Sequence, residues 1–150
     1  MHRILLAEDN RLNQIVAVGV LRNLGYEVDV VHDGTDAVNA CLEVLYDAVV
    51  MDVMMPNLDG YEATAAIRDH EAVLHLPPVP VIGLSARSID GDREIALAAG
   101  MDEYLTKPLR TWELEAALTR WIAVPSRQEQ VLDVDPETGR PNLRVVSAAG

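Results

Sequence analysis

The sequence predicts an α/β fold, a doubly wound parallel sheet of five strands with helices on both faces. Three observations lead there. Short apolar runs of strand length alternate with longer segments of helical period along most of the 150 residues. The central runs are apolar throughout, as strands covered on two faces should be. Strand and helix alternate five times, which implies parallel pairing through right-handed crossovers.

Taken in order, Arg3 to Ala7 reads as the first strand. Leu12, Ile15, Val16, Gly19, Val20 and Leu24 then recur at helical spacing and stop at Gly25, a helix-ending signal. The second strand is Glu27 to Val31. Asp33-Gly34 makes the turn into a second helix from about Thr35 to Leu45, and Asp47 to Met51 is the third strand. Tyr61, Thr64 and Ile67 mark a third helix, with Pro77-Pro-Val-Pro80 in the loop that follows. Val79 to Leu84 is the fourth strand. Ile95, Ala98 and Ala99 belong to a fourth helix closed by Gly100, Asp102 to Leu105 is a short fifth strand, and Leu114, Ala117, Leu118 and Trp121 stripe a fifth helix. Beyond Trp121 the pattern stops. Residues 1–122 are therefore read as one domain and 123–150, rich in Pro, Gly and charge, as a linker or flexible tail.

Composition narrows the function. Twenty-four acidic against 12 basic residues give a net charge of -12 with no concentrated basic patch, which argues against nucleic acid as a partner. No apolar run approaches the roughly 20 residues of a membrane span and no signal peptide precedes the first strand, so a cytoplasmic protein is expected, with no membrane insertion by this chain. The single cysteine, Cys41, lies in an apolar helical pattern and reads as a small core residue. His70-Glu71 and His75 miss the spacing of a helical zinc pair, because the residue four beyond His70 is Leu74; a surface loop is expected there. His2 and His32 read as solvated strand-end residues, and Trp112 and Trp121 as packing residues of the last helix.

The chemistry lies at the strand ends. In open parallel sheets, ligands bind beyond the carboxyl ends of the strands at the point where strand order reverses. Glu8-Asp9 follows the first strand, Asp52 the third, Ser85 the fourth and Lys107 the fifth. An acidic N-cap pair would explain Glu8-Asp9 alone, but not three converging acids. Converging carboxylates repel one another, and a divalent cation relieves this; Mg²⁺ takes one or two carboxylates together with phosphate oxygens and water. A carboxylate can also act as nucleophile toward phosphorus while an ammonium neutralises the transferring group. Asp52 and Lys107 suit those roles. Pro108 biases Lys107 toward an extended backbone.

Glu8-Asp9-Asn10, Met51-Asp52-Val-Met-Met-Pro56 with Asp59-Gly60, Leu84-Ser85-Ala86 and Thr106-Lys107-Pro108 together resemble the receiver domain of two-component response regulators, over about Met1 to Trp121. Asn10-Arg-Leu-Asn-Gln14 and Ala99-Gly-Met-Asp-Glu-Tyr-Leu-Thr-Lys-Pro108 look most like receivers of hybrid histidine kinases. The resemblance implies a flavodoxin-like (βα)5 sheet of order 2-1-3-4-5, an order for which a receiver is itself the standard example. It implies Asp52 as phosphoacceptor and Mg²⁺ as cofactor, held by Glu8, Asp9, Asp52 and the backbone carbonyl of Met54. Ser85 and the Ala86 backbone would contact the phosphoryl group, Lys107 would pair with it, and Tyr104 would change rotamer with Ser85. Serine stands where threonine is commoner in the family.

The function so implied is a phosphorelay receiver that takes a phosphoryl group from a phosphohistidine onto Asp52 and switches a protein-interaction surface. It would catalyse only its own phosphorylation and dephosphorylation. Implied partners are a histidine kinase or histidine phosphotransfer domain, with a homodimer through the fourth helix, fifth strand and fifth helix as a further option. The alternative is a Mg²⁺-dependent phosphohydrolase with an aspartyl nucleophile. Haloacid-dehalogenase-type enzymes carry a second acid two residues past the nucleophile, and Met54 stands at that position.

Overall fold

Side chains alternate across each strand, so an all-apolar strand divides its residues between two faces and needs cover on both. The computed structural model, which describes residues 1–86, 91–122, 130–134 and 141–145, provides that cover. The elements run β1 (Arg3–Ala7), α1 (Arg11–Asn23), β2 (Glu27–Val31), α2 (Gly34–Glu43), β3 (Ala48–Asp52), α3 (Gly60–Leu74), β4 (Val81–Ser85), α4 (Asp92–Ala99), β5 (Glu103–Thr106) and α5 (Thr111–Trp121). The five strands form a parallel sheet of order β2-β1-β3-β4-β5, as expected. Leu5, Ala7, Val49, Met51 and Val81 pack under Ala37 of α2, Ala63 and Ile67 of α3 and Ala96 of α4. Ile4, Leu6, Val50, Ile82 and Leu84 pack on the other face under Ala17 and Leu21 of α1 and Leu114, Ala117 and Leu118 of α5. Within the stretch read as linker or tail, β6 (Gln130–Val134) and β7 (Pro141–Val145) pair antiparallel.

The starts of α1, α2 and α3 are set by short polar side chains. Asn10 accepts from the Asn13 amide, Asp33 from that of Asp36, and Asp59 exchanges a full capping box with Glu62. Gly25 and Gly100 take the left-handed backbone that ends α1 and α4. Gly60 starts α3 hard against the end of β3: a β-carbon there would stand 2.4 Å from the carbonyl oxygen of Asp52. That close approach is what lets the loop after β3 fold back over the sheet edge.

Two expectations need correcting, and one facing that the helical spacing left open is decided. The apolar row Leu12, Ile15 and Val16 does not face the sheet; these residues are 70%, 60% and 55% exposed, and α1 buries Gln14, Ala17 and Leu21. The apolar arc of α1 is wide, and period alone does not say which side of it meets the sheet. His70 and Glu71 are not in a loop but in α3, which runs on to Leu74. Glu71 is buried because it accepts the Val79 amide at 2.6 Å and pairs with Arg68, whose guanidinium also holds Asp102 and the Gly100 carbonyl. Trp112 is 64% exposed rather than packed, and Trp121 lies at the surface with its indole N–H donating to Glu103. Cys41 is half-buried at the edge of the core. Among the described residues, no helix is long and apolar enough to cross a membrane.

Gly60→Ala should cost about 1–3 kcal/mol of unfolding free energy, the usual range for forcing an extra methyl into packed structure. Urea unfolding checks this. A loss no larger than that of Ala65→Gly, at an exposed position of the same helix, would mean that the loop yields freely.

Candidate functional site

Parallel register brings residues from distant parts of the chain to one edge. Asp52 lies across from Leu84, and Ser85 across from Thr106. The amide of Glu8 bonds to the Val31 carbonyl at 3.1 Å, that of Val53 to Leu84 at 2.9 Å and that of Lys107 to Ser85 at 2.7 Å, so the ladder continues one step past the strands and fixes the residues beyond them. Glu8, Asp9 and Asp52 each place a carboxylate oxygen within 4.8 Å of the others. Glu8 and Asp52 are 2% and 4% exposed, whereas Asp9 is open to solvent. Asp52 is thus the last residue of β3 and buried, rather than presented beyond the strand end as the sequence suggested.

Lys107 is the counter-charge. Its Nζ lies 2.8 Å from Asp52 Oδ2 and 3.3 Å from Glu8 Oε2. The Met54 amide donates to Asp52 Oδ1 at 3.2 Å, while the Met54 side chain is exposed. Asn13 Nδ2 donates to Glu8 Oε1 at 2.8 Å, and the buried amide of Gln14 donates to the Glu8 carbonyl at 2.6 Å and meets His32 Nδ1 at 2.8 Å. The Lys107–Pro108 peptide is cis. Ser85 ends β4 and is buried; Ala86, next to it, is exposed. Tyr104 lies opposite Gly83, packs beside it, and its hydroxyl contacts Asp92 of α4 at 3.4 Å. All the residues singled out in the sequence therefore gather at one edge, Tyr104 one layer further in. Asn13 and Gln14 were quoted in the motif after the acid pair, but nothing in it said that both side chains turn back onto Glu8.

Burial, then contact with the like-charged Asp52, pushes Glu8 up to about 7, against the lowering effect of Asn13 and Lys107. Burial pulls Lys107 down, but its bond to Asp52 and the charges of both carboxylates outweigh this and leave it raised. An ammonium over a crowded acid pair is the arrangement that a hard cation could complete, because Glu8, Asp9 and Asp52 each offer it a carboxylate oxygen. Beside Lys107 a cavity of about 190 Å³ opens between α1 and the turn after β5, walled by Leu6, Val16, Ala17, Leu84, Pro108 and Leu109.

The sequence of residues 4–119 matches the family model of the response regulator receiver domain. The chain belongs to that family. As a receiver it shares 46% identity with the receiver domain of the sensor histidine kinase PA1611 of Pseudomonas aeruginosa PAO1, crystallised with a magnesium ion in its active-site cleft; the match covers 80% of this chain and 96% of that one, with a TM-score of 0.70. It also matches the co-crystal structure of the Saccharomyces cerevisiae phosphotransfer protein Ypd1 with the receiver of the response regulator Ssk1, at 30% identity over 83% of this chain and 93% of that one, with a TM-score of 0.77. Among full-length proteins it is 36% identical to the sensor protein GacS of Pseudomonas syringae pv. syringae over 138 residues, 88% of this chain and 15% of that protein. The chain thus spans about a seventh of the length of that relative.

The Glu8 carboxyl has a raised pKa, so it contributes stability below about 4.5 that is lost as pH rises through about 7. In buffer free of divalent cations, the unfolding free energy of the wild type should fall across that window relative to Glu8→Gln. Urea unfolding at pH 5 and 8 measures the difference. Equal pH slopes in the two proteins would show that Glu8 does not titrate there.

Proposed function

We propose that Asp52 accepts a phosphoryl group from a phosphohistidine, in a site completed by Mg²⁺. The observation that carries this reading is the juxtaposition of three carboxylates within 4.8 Å with one lysine bridging two of them. Glu8, Asp9, Asp52 and the Met54 carbonyl are the proposed metal ligands. The ion, when bound, supplies positive charge to the transferring oxygens. A carboxylate oxygen of Asp52 forms the new O–P bond as the P–N bond breaks, and the departing imidazole keeps the electron pair and takes a proton. Lys107 trades part of its contact with the carboxylates for the phosphoryl oxygens. Ser85 and the Ala86 amide supply hydrogen bonds to the same group. Hydrolysis of the acyl phosphate by water restores Asp52 and closes the cycle; turnover is confined to the protein's own carboxylate.

The output reading runs through Tyr104. Ser85 drawn toward the phosphoryl group makes room for the ring, and turning it inward breaks the contact of its hydroxyl with Asp92 on α4. Exposed Trp112 of α5, with the exposed apolar side chain on the α5-facing flank of α4, gives the α4–β5–α5 face apolar area with which to hold a partner or a second copy. The phosphodonor, a histidine kinase or phosphotransfer domain on the cytoplasmic side, docks on the exposed row Leu12, Ile15 and Val16, of which Val16 lines the cavity next to Lys107. A helix laid along that row brings its histidine to the carboxyl edge of the sheet, the arrangement helix-in-groove recognition favours.

Acetyl phosphate with Mg²⁺ should add one phosphoryl group to the wild type, read by intact mass, and none to Asp52→Ala or to wild type in EDTA. The same adduct on Asp52→Ala would assign the acceptor elsewhere. Ile15→Glu should slow transfer from a phosphorylated histidine phosphotransfer protein by about tenfold, as loss of a central apolar contact does, while acetyl phosphate still labels the variant at the wild-type rate. Equal slowing with both donors would mean that α1 is not the docking face.

A further inference from the structure

Asn13 stands in the first turn of α1, three residues past the N-cap, and its side chain is not needed to cap the helix: Asn10 already does so by accepting the Asn13 backbone amide at 3.0 Å. Asparagine is a poor helix former at such a position. The residue is exposed, so it adds no apolar burial either. Its amide instead reaches back to Glu8 Oε1 at 2.8 Å, while Lys107 Nζ holds the other oxygen, Oε2, at 3.3 Å. Only the Nδ2 end of the amide can face an ionised carboxylate favourably.

We propose that Asn13 is a positioning residue of the metal site, fixing the plane of the Glu8 carboxylate so that Oε2, on the Lys107 and Asp52 side, is the oxygen offered to Mg²⁺. The inference rests on the reading that Mg²⁺ binds at Glu8, Asp9 and Asp52. A glutamate has one more rotatable bond than an aspartate, and holding its carboxylate costs conformational entropy that an outer hydrogen bond offsets in advance. Gln14 completes the brace from the same helix by holding the backbone of Glu8. Glu8 is thus gripped at carboxylate and carbonyl by consecutive residues of α1, the helix whose outer row is proposed to meet the phosphodonor.

The test is a double-mutant cycle on Mg²⁺ affinity, measured by isothermal titration calorimetry on the wild type, Asn13→Ala, Glu8→Gln and the double variant, each checked for folding by circular dichroism. Asn13→Ala should bind Mg²⁺ about fivefold to tenfold more weakly, near the lower end of what loss of an outer-shell partner costs. In the Glu8→Gln background the same change should have no further effect, because Asn13 acts only through that carboxylate. The rate of labelling by acetyl phosphate should show a deficit for Asn13→Ala that shrinks as Mg²⁺ is raised. An equal loss of affinity in both backgrounds, or none in either, overturns the proposal. Failure of the wild type itself to bind Mg²⁺ overturns the metal reading beneath it. Should Asn13→Ala fold poorly, Asn13→Ser replaces it in the same cycle with the same outcomes, and Val20→Ala, which removes packing of the same helix on the core, controls for a general effect of loosening α1.

Discussion

The constraint on which this structure turns is the crowding of negative charge at the carboxyl edge of β1 and β3. Two buried carboxylates and one exposed one share a space less than 5 Å across, an arrangement that electrostatics alone would disperse. Lys107 holds it together from the far edge of the sheet. Three carboxylates face one ammonium, so the site is short of two positive charges; burial and the neighbouring Asp52 raise Glu8, and, against its own burial, the two carboxylates it touches raise Lys107.

Much of the fold is devoted to keeping that edge in place. The all-apolar strands leave the sheet little freedom to slip, since a shift of one residue in β3 would send Val49 and Met51 to the opposite layer. At the other end of the strands, Arg68 joins α3 to the loop before β5 through Glu71, Asp102 and the Gly100 carbonyl, while Asp102 and Glu71 receive the amides of Val81 and Val79. The entry to β4 and that to β5 are thereby fastened to one guanidinium. Ser85 and Lys107, at the exits of those two strands, inherit their positions from it.

The order of elements and the identity of the charged residues at the strand ends were legible in the sequence, because apolar runs, turn residues and strand-end acids are all local signals. Bounds moved by a residue or two where a polar side chain had other employment. Asp47 read as the first residue of β3, but its carboxylate accepts the Arg3 amide and the strand begins at Ala48. The facing of α1 was not legible. Leu12, Ile15 and Val16 are as apolar as Ala17 and Leu21, and only the neighbouring α5 and sheet decide which set is covered. The role of Glu71 was hidden for a related reason: a glutamate before two prolines looks like loop, and its burial follows from an amide eight residues on and an arginine one turn back. Asn13 carried a signal, its place in the motif after the acid pair, but spacing along a helix does not reveal a side chain that turns back toward the preceding strand.

Lys107 is 99 residues from Glu8 and 55 from Asp52 in the chain, yet touches both. Loop closure over such separations comes late in folding, after local structure has formed. The acids come from the first and third strands and their counter-ion from the turn after β5. Closing the sheet and closing the charge cluster are thus one event: the last strand of the parallel sheet also brings the cation that the first and third strands lack.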